Sequence, residues 1–239
     1  MPTLSTSQDP SAPAITSLAP TSLTPTPRVP LWLKVAYTAF LAVLVPVYWF
    51  NYGPTNFLYF CDIALFVTLI GIWRESALLV SMAAVGIVAP QILWNVDFVI
   101  GLCGGQFTGM TNYMFKESSP LFLRGLSLFH GWLPFLLLYL VWRLGYDRRA
   151  FLRWTVLAWV LLLVCYTLMP GPRADAASIA TPVNINYVHG MSDTEAQTWM
   201  PPLAWLGTML IGMPLLIFLP THLVLRFFFA DKTPVKTGG

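Results

Sequence analysis

Cys61 and Asp62 stand side by side near the start of the apolar run "NFLYFCDIALFVTLIGIW" (Asn56 to Trp73), where almost every neighbour suits a hydrocarbon environment. His130 follows in "LSLFHGWLPF", Asn95 and Asp97 in "PQILWNVDF", and Asn184, Asn186, Tyr187 and His189 in "NINYVHG". A thiol beside an imidazole is the minimum for nucleophilic acyl transfer. The imidazole removes the proton, the thiolate attacks an ester, and an acyl-thioester forms. Asp62 or Asp97 could orient His130 as the third member of a triad does. Asn95, Asn184 or backbone N–H groups could hold the developing oxyanion.

The same residues admit two other chemistries. Asp62, Asp97, His130 and His189 are types that bind a divalent metal, but no HExxH or CxxC spacing accompanies them, so no metal or other cofactor is expected. An acid–histidine cluster could instead relay protons or gate a solute. Each residue also has a plain structural reading. Cys61 packs well as a small apolar group. Asp62 could pair with Arg124 or a helix end, and Asn95 and Asp97 could cap a helix. Pro134 lacks an N–H and so frees the carbonyl of His130, which makes a kink there.

These residues must be positioned by membrane helices. The 239-residue chain is 56% hydrophobic and 10% charged, with mean hydropathy +0.67. An average soluble domain is roughly 25% charged. A bilayer core of about 30 Å calls for roughly 17–25 apolar residues per helix. Six segments qualify: Leu31–Trp49, Phe57–Trp73, Ala77–Trp94, Leu126–Trp142, Phe151–Met169 and Leu203–Leu225. The expected fold is an all-α polytopic bundle over residues 30–229. A Thr/Pro/Ser-rich tail (1–29), expected to be disordered, precedes it, and a polar tail (230–239), expected to be flexible, follows. A seventh span within Val99–Met114 fits poorly, because "GLCGGQFTGM" is Gly-rich and polar.

Orientation follows from the cations. With both termini cytoplasmic, ten of the thirteen Lys and Arg flank the inner ends, and only Lys116, Arg124 and Arg173 lie outside. The long loops, about 95–125 and 170–202, then face outward. At about 1.5 Å per residue, Cys61 and His130 lie roughly 6 Å below the outer boundary, level with Asn95, Asp97 and "NINYVHG". Four stretches thus share one layer. The net charge of +3 gives no case for nucleic acid; the expected partners are membrane lipids, in a cell membrane such as a bacterial inner membrane. Three scattered cysteines make no disulfide framework.

The motifs "NFLYFCDIALF", "LFHGWLPFLLLYLVW", "NINYVHG" and "PPLAWLGTMLIGMPLLIFLP", in order over about Phe57 to Pro220, resemble those of the YwaF-like bacterial integral membrane proteins and the related transmembrane protein 164 family. The resemblance implies an acyl-transfer or lipid-ester role carried by a helix-borne Cys and a His, matching Cys61 and His130. Tyr59 departs from the pattern, standing where the family commonly has a histidine. The sequence therefore leads to a lipid acyltransferase or lipid-ester hydrolase with Cys61 as nucleophile and His130 as base. Its rival is a non-enzymatic transporter or scaffold.

Overall fold

The computed structural model describes residues 29–117 and 119–229. Both expected tails lie outside these residues, apart from Val29. The described chain is all helical. Its α-helices are α1 (Leu31–Tyr52), α2 (Phe60–Arg74), α3 (Ala77–Leu102), α4 (Leu121–Ser127), α5 (Phe129–Leu144), α6 (Ala150–Leu168), α7 (Pro202–Met213) and α8 (Leu219–Phe229). The α4–α5 pair runs on as one rod, and α7 and α8 join through a single π-turn at Pro214–Phe218. Five of the resulting rods are long and apolar enough to cross a membrane: 31–52, 77–102, 121–144, 150–168 and 202–229. By helix length and hydropathy the chain is a multi-pass membrane protein.

The expected second span is where the structure differs. Gly53, at φ 80°, closes α1 by donating its N–H to the Trp49 carbonyl, and Pro54 opens a short 3-10 turn to Leu58. That turn consumes the first apolar residues, so α2 begins only at Phe60 and has 15 residues. Its rise is about 22 Å, short of the roughly 30 Å hydrocarbon core. Cys61 and Asp62 therefore occupy the first helical turn rather than a point one turn inside an established helix. The Gly-rich stretch after α3 forms no seventh span; the helix stops at Leu102 and only a 3-10 turn, Asn112–Phe115, follows.

α3 is the central element, packed on α2, α5, α6 and α8. Small residues permit it. Trp154 of α6 lies across Gly86, where an added Cβ would fall 1.9 Å from the indole. At the α2–α3 turn Gly71 rests on Val80. Glu75, in the left-handed region at φ 49°, swings its carboxylate back to Lys34 at 2.8 Å and the Val29 N–H at 3.3 Å. The main core runs through Leu44, Leu65, Ile72, Leu133, Leu137 and Trp154, all at most 1% exposed.

Two prolines free a helix carbonyl that a neighbouring helix then fills. Pro134 leaves the His130 carbonyl without its helical partner, and the Asn95 side-chain amide of α3 donates to it at 3.2 Å. Pro214 does the same to Leu210, and Trp159 Nε1 of α6 donates there at 2.7 Å. In an apolar medium a freed carbonyl must find a neighbour, and each neighbour also fixes a helix pair. The helix is interrupted at Leu128, between α4 and α5, while α5 runs on through His130 and Pro134.

Candidate functional site

Cys61 and Asp62 sit where three segments converge. The N-terminal turn of α2 has no side-chain cap from its own Ncap residue, Tyr59. Asn186, 126 residues away, supplies one: its Oδ1 accepts the Phe60 N–H at 3.2 Å and its Nδ2 donates to the Leu58 carbonyl at 2.9 Å. Reaching that position forces Asn186 into the left-handed region at φ 58°, which asparagine tolerates better than most residues. Its Nδ2 also lies 3.5 Å from the Cys165 sulfur. The "NINYVHG" motif is thus brought against the start of α2, as the shared layer anticipates, with Asn186 as the bridge.

Asp62 is 3% exposed. Its Oδ2 accepts the Asn56 amide at 3.2 Å and the Cys61 thiol at 4.0 Å, while Oδ1 is buried with no partner among the described residues. The antiparallel α2–α3 packing places polar atoms across from it. Nine residues separate Asp62 from Gly71, and nine beyond Val80 is Ala89, so Gln91 lies about 3 Å further toward the long loops. Both polar atoms of the Gln91 side chain and the Trp94 Nε1 are buried without partners among the described residues. Above them is Tyr113 of the 103–120 loop. Burial holds its phenol above the ordinary range; the side chains of Trp94 and Ser127 oppose that and Cys61 adds to it. Trp94 Nε1 nevertheless falls short of hydrogen-bond geometry. One phenol therefore borders both the start of α2 and the α3–α5 contact.

His130 faces that second contact. Its Nδ1 is 2.8 Å from the Ser127 carbonyl. A carbonyl can only accept, so Nδ1 carries the proton and a neutral ring would keep its lone pair on Nε2, the form a general base needs. The ring lies between Trp94, at 5.4 Å between centroids, and Phe129, at 3.9 Å. Ser127 in turn bonds Tyr48 through its hydroxyl at 2.9 Å. Among the described residues no hydrogen bond joins the Cys61 thiol to the His130 ring; the thiol's partner is Asp62.

The remaining residues are engaged elsewhere. Asp97 accepts the N–H groups of Thr108 (2.6 Å), Gly109 (3.1 Å) and Thr111 (2.9 Å) and the Thr111 hydroxyl (2.6 Å), pinning the 103–120 loop to the end of α3. Asn95 serves the His130 and Gln91 carbonyls. Asn184, in the left-handed region at φ 49°, closes its loop by donating to Gly190 and Ser192 carbonyls and accepting the His189 N–H. The Tyr187 carbonyl accepts Trp205 Nε1 at 2.9 Å. The His189 ring stacks on Tyr166 at 4.9 Å, where burial lowers its proton affinity. All three cysteines are free, and no group of three or more His, Cys, Asp or Glu side chains could hold a metal among the described residues.

Asn56, Gln91, Trp94 and Tyr113 join the layer without having been singled out by sequence. Gln91 carried a signal, a lone amide directly after Pro90 in an otherwise apolar helix. Asn56 and Tyr113 carried none, because turn asparagines and loop tyrosines are ordinary. Compared with known proteins, the chain matches no family model, no curated protein and no solved structure.

Proposed function

We propose that this membrane protein transfers or hydrolyses acyl groups of lipid esters from the outer leaflet, with Cys61 as nucleophile and Asp62 as the group that takes its proton. The carrying observation is the Cys61 thiol, in the first turn of α2, directed at a buried carboxylate that has a second oxygen without a partner. The thiol proton passes to Asp62, the sulfur bonds to the ester carbonyl carbon, and the carbon–oxygen bond breaks. The departing alcohol takes the proton back. Water or an acceptor hydroxyl then cleaves the thioester. The Cys61 N–H, in the first turn of α2, suits the oxyanion; the neighbouring N–H groups of Phe60, Asp62 and Ile63 are taken by Asn186 and the Tyr59 carbonyl. His130 Nε2 is available to activate the acceptor in the second half. The cytoplasmic placement of both termini belongs to this proposal, and the motif likeness to the YwaF-like and transmembrane protein 164 families supports it.

The unpartnered Gln91 and Trp94 atoms favour a second reading, in which the layer holds a polar group without reacting with it, as in a transporter or scaffold. The two readings separate on one measurement. Purified protein is treated with a thiol-reactive acyl probe, and the label is mapped by mass spectrometry. Acyl-thioester on Cys61, absent from Cys61→Ala and strongly reduced in Asp62→Asn, is the expected result. Equal labelling of wild type and Cys61→Ala would rule out the enzyme reading.

A further inference from the structure

A second feature lies apart from Cys61, in the loop that leads into α7. Met191, Glu195, Gln197, Trp199 and Trp205 line an open groove of 410 Å³, within the range of small-ligand sites. Trp199 and Trp205 meet edge to face, with centroids 5.6 Å apart and planes at 78°, and so form two walls of a corner. Trp205 is held fixed, 8% exposed, with its Nε1 bound to the Tyr187 carbonyl. Trp199 is 70% exposed. The Glu195 carboxylate makes no ion pair among the described residues, whereas nearby Arg173 is taken by Asp175.

Apart from the exposed Thr198 hydroxyl, the other polar side chains of the groove are already used. Gln197 bonds both the N–H and the carbonyl of Met200, and the Ser192 hydroxyl bonds Thr194. What remains for a ligand is the exposed indole of Trp199, the part of Trp205 that borders the groove, the Thr198 hydroxyl and one negative charge. Aromatic faces attract a cation through their quadrupole, and a cation with no N–H groups needs no further acceptors. Leu203, 71% exposed, stands two residues before Trp205 in the first turn of the last membrane-spanning rod. Exposed Trp199 and Met191, 74% exposed, flank the groove as interfacial side chains do.

We propose that this corner binds the quaternary ammonium headgroup of a membrane lipid, with Trp199 and Trp205 as walls and Glu195 as counter-charge. The test uses the full chain in maltoside micelles, titrated with tetramethylammonium chloride against potassium chloride at equal ionic strength, read by tryptophan emission. A saturable response to tetramethylammonium alone is expected, weakened roughly tenfold in Trp199→Ala and several-fold in Glu195→Gln. In nanodiscs of mixed phosphatidylcholine and phosphatidylglycerol, native mass spectrometry should show preferential retention of phosphatidylcholine that Trp199→Ala abolishes. Matching responses to the two salts, or an unchanged Trp199→Ala, would overturn the site. Equal or greater retention of phosphatidylglycerol would overturn the lipid as its ligand.

Discussion

Asp62 and Asp97 are each 3% exposed, at the same end of the bundle, yet their carboxylates are engaged in opposite ways. Asp97 receives three backbone N–H groups and a hydroxyl, all between 2.6 and 3.1 Å. Asp62 receives one amide and one thiol and leaves an oxygen without a partner among the described residues. A buried charge is tolerated when its lone pairs are filled. Asp97 meets that condition from within the protein and acts as a bolt for a loop. Asp62 does not meet it, and a buried polar group left open is the kind of departure that marks a site.

The largest effect should come from unfastening the bolt. Asp97→Ala strands three backbone donors and a hydroxyl, and charge-assisted bonds of this kind are each worth about 1.5–3 kcal/mol. Because the loop can partly relax into water, a net loss of about 3 kcal/mol is expected rather than the sum. Unfolding in detergent would measure it, with faster tryptic cleavage at Lys116 as the local readout. Asp97→Asn keeps one acceptor oxygen and should lose about half as much. A stability equal to wild type in Asp97→Ala would remove the contrast between the two acids.

Asp62→Asn should do the reverse. The substitution keeps shape and the bond from Asn56 while removing a buried ionisable group, and such changes are commonly neutral or stabilising. The expected unfolding midpoint is at or slightly above wild type, together with loss of acylation at Cys61. A destabilisation as large as that of Asp97→Ala would mean that Asp62 is a structural acid like its counterpart.

Much of this contrast was out of reach of the sequence for a definable reason. Helicity, the long apolar rods and the freed carbonyl at His130 follow from local composition and from Pro134 alone. The occupant of that carbonyl, Asn95, follows only from the α3–α5 register. The donors to Asp97 lie 11 to 14 residues away in a Gly-rich loop whose path no periodicity encodes. Asn186 caps a helix 126 residues earlier in the chain. Hydropathy also runs unbroken from Phe57, so the late start of α2 depended on weighing Gly53–Pro54 against that run. The layer was legible as a depth; which of its acids was free was not.

The smallest expected effect sharpens the same contrast on the loop that carries Asn186. His189 stacks on Tyr166, and burial lowers its proton affinity below the ordinary histidine value. The folded loop therefore prefers the neutral ring, while the unfolded chain binds a proton more readily. Stability tied to this residue is fully present above the unfolded value near 6.5 and is lost as pH falls from there through the lower folded value. Protection of the amides across 169–201, taken relative to their base-catalysed intrinsic exchange rate, should fall modestly between pH 7.5 and 5.5, and His189→Phe, which keeps the stacking without the titration, should flatten that dependence. Asp193 opposes it in a different window: burial raises its carboxyl, so its contribution favours low pH and fades as pH rises through that raised value. If His189→Phe leaves the pH profile of the loop unchanged, the histidine is not its source. If exchange at the start of α2 follows the loop in the wild type, Asn186 is the link, and the open carboxylate of Asp62 is held in place by a loop that loosens in acid.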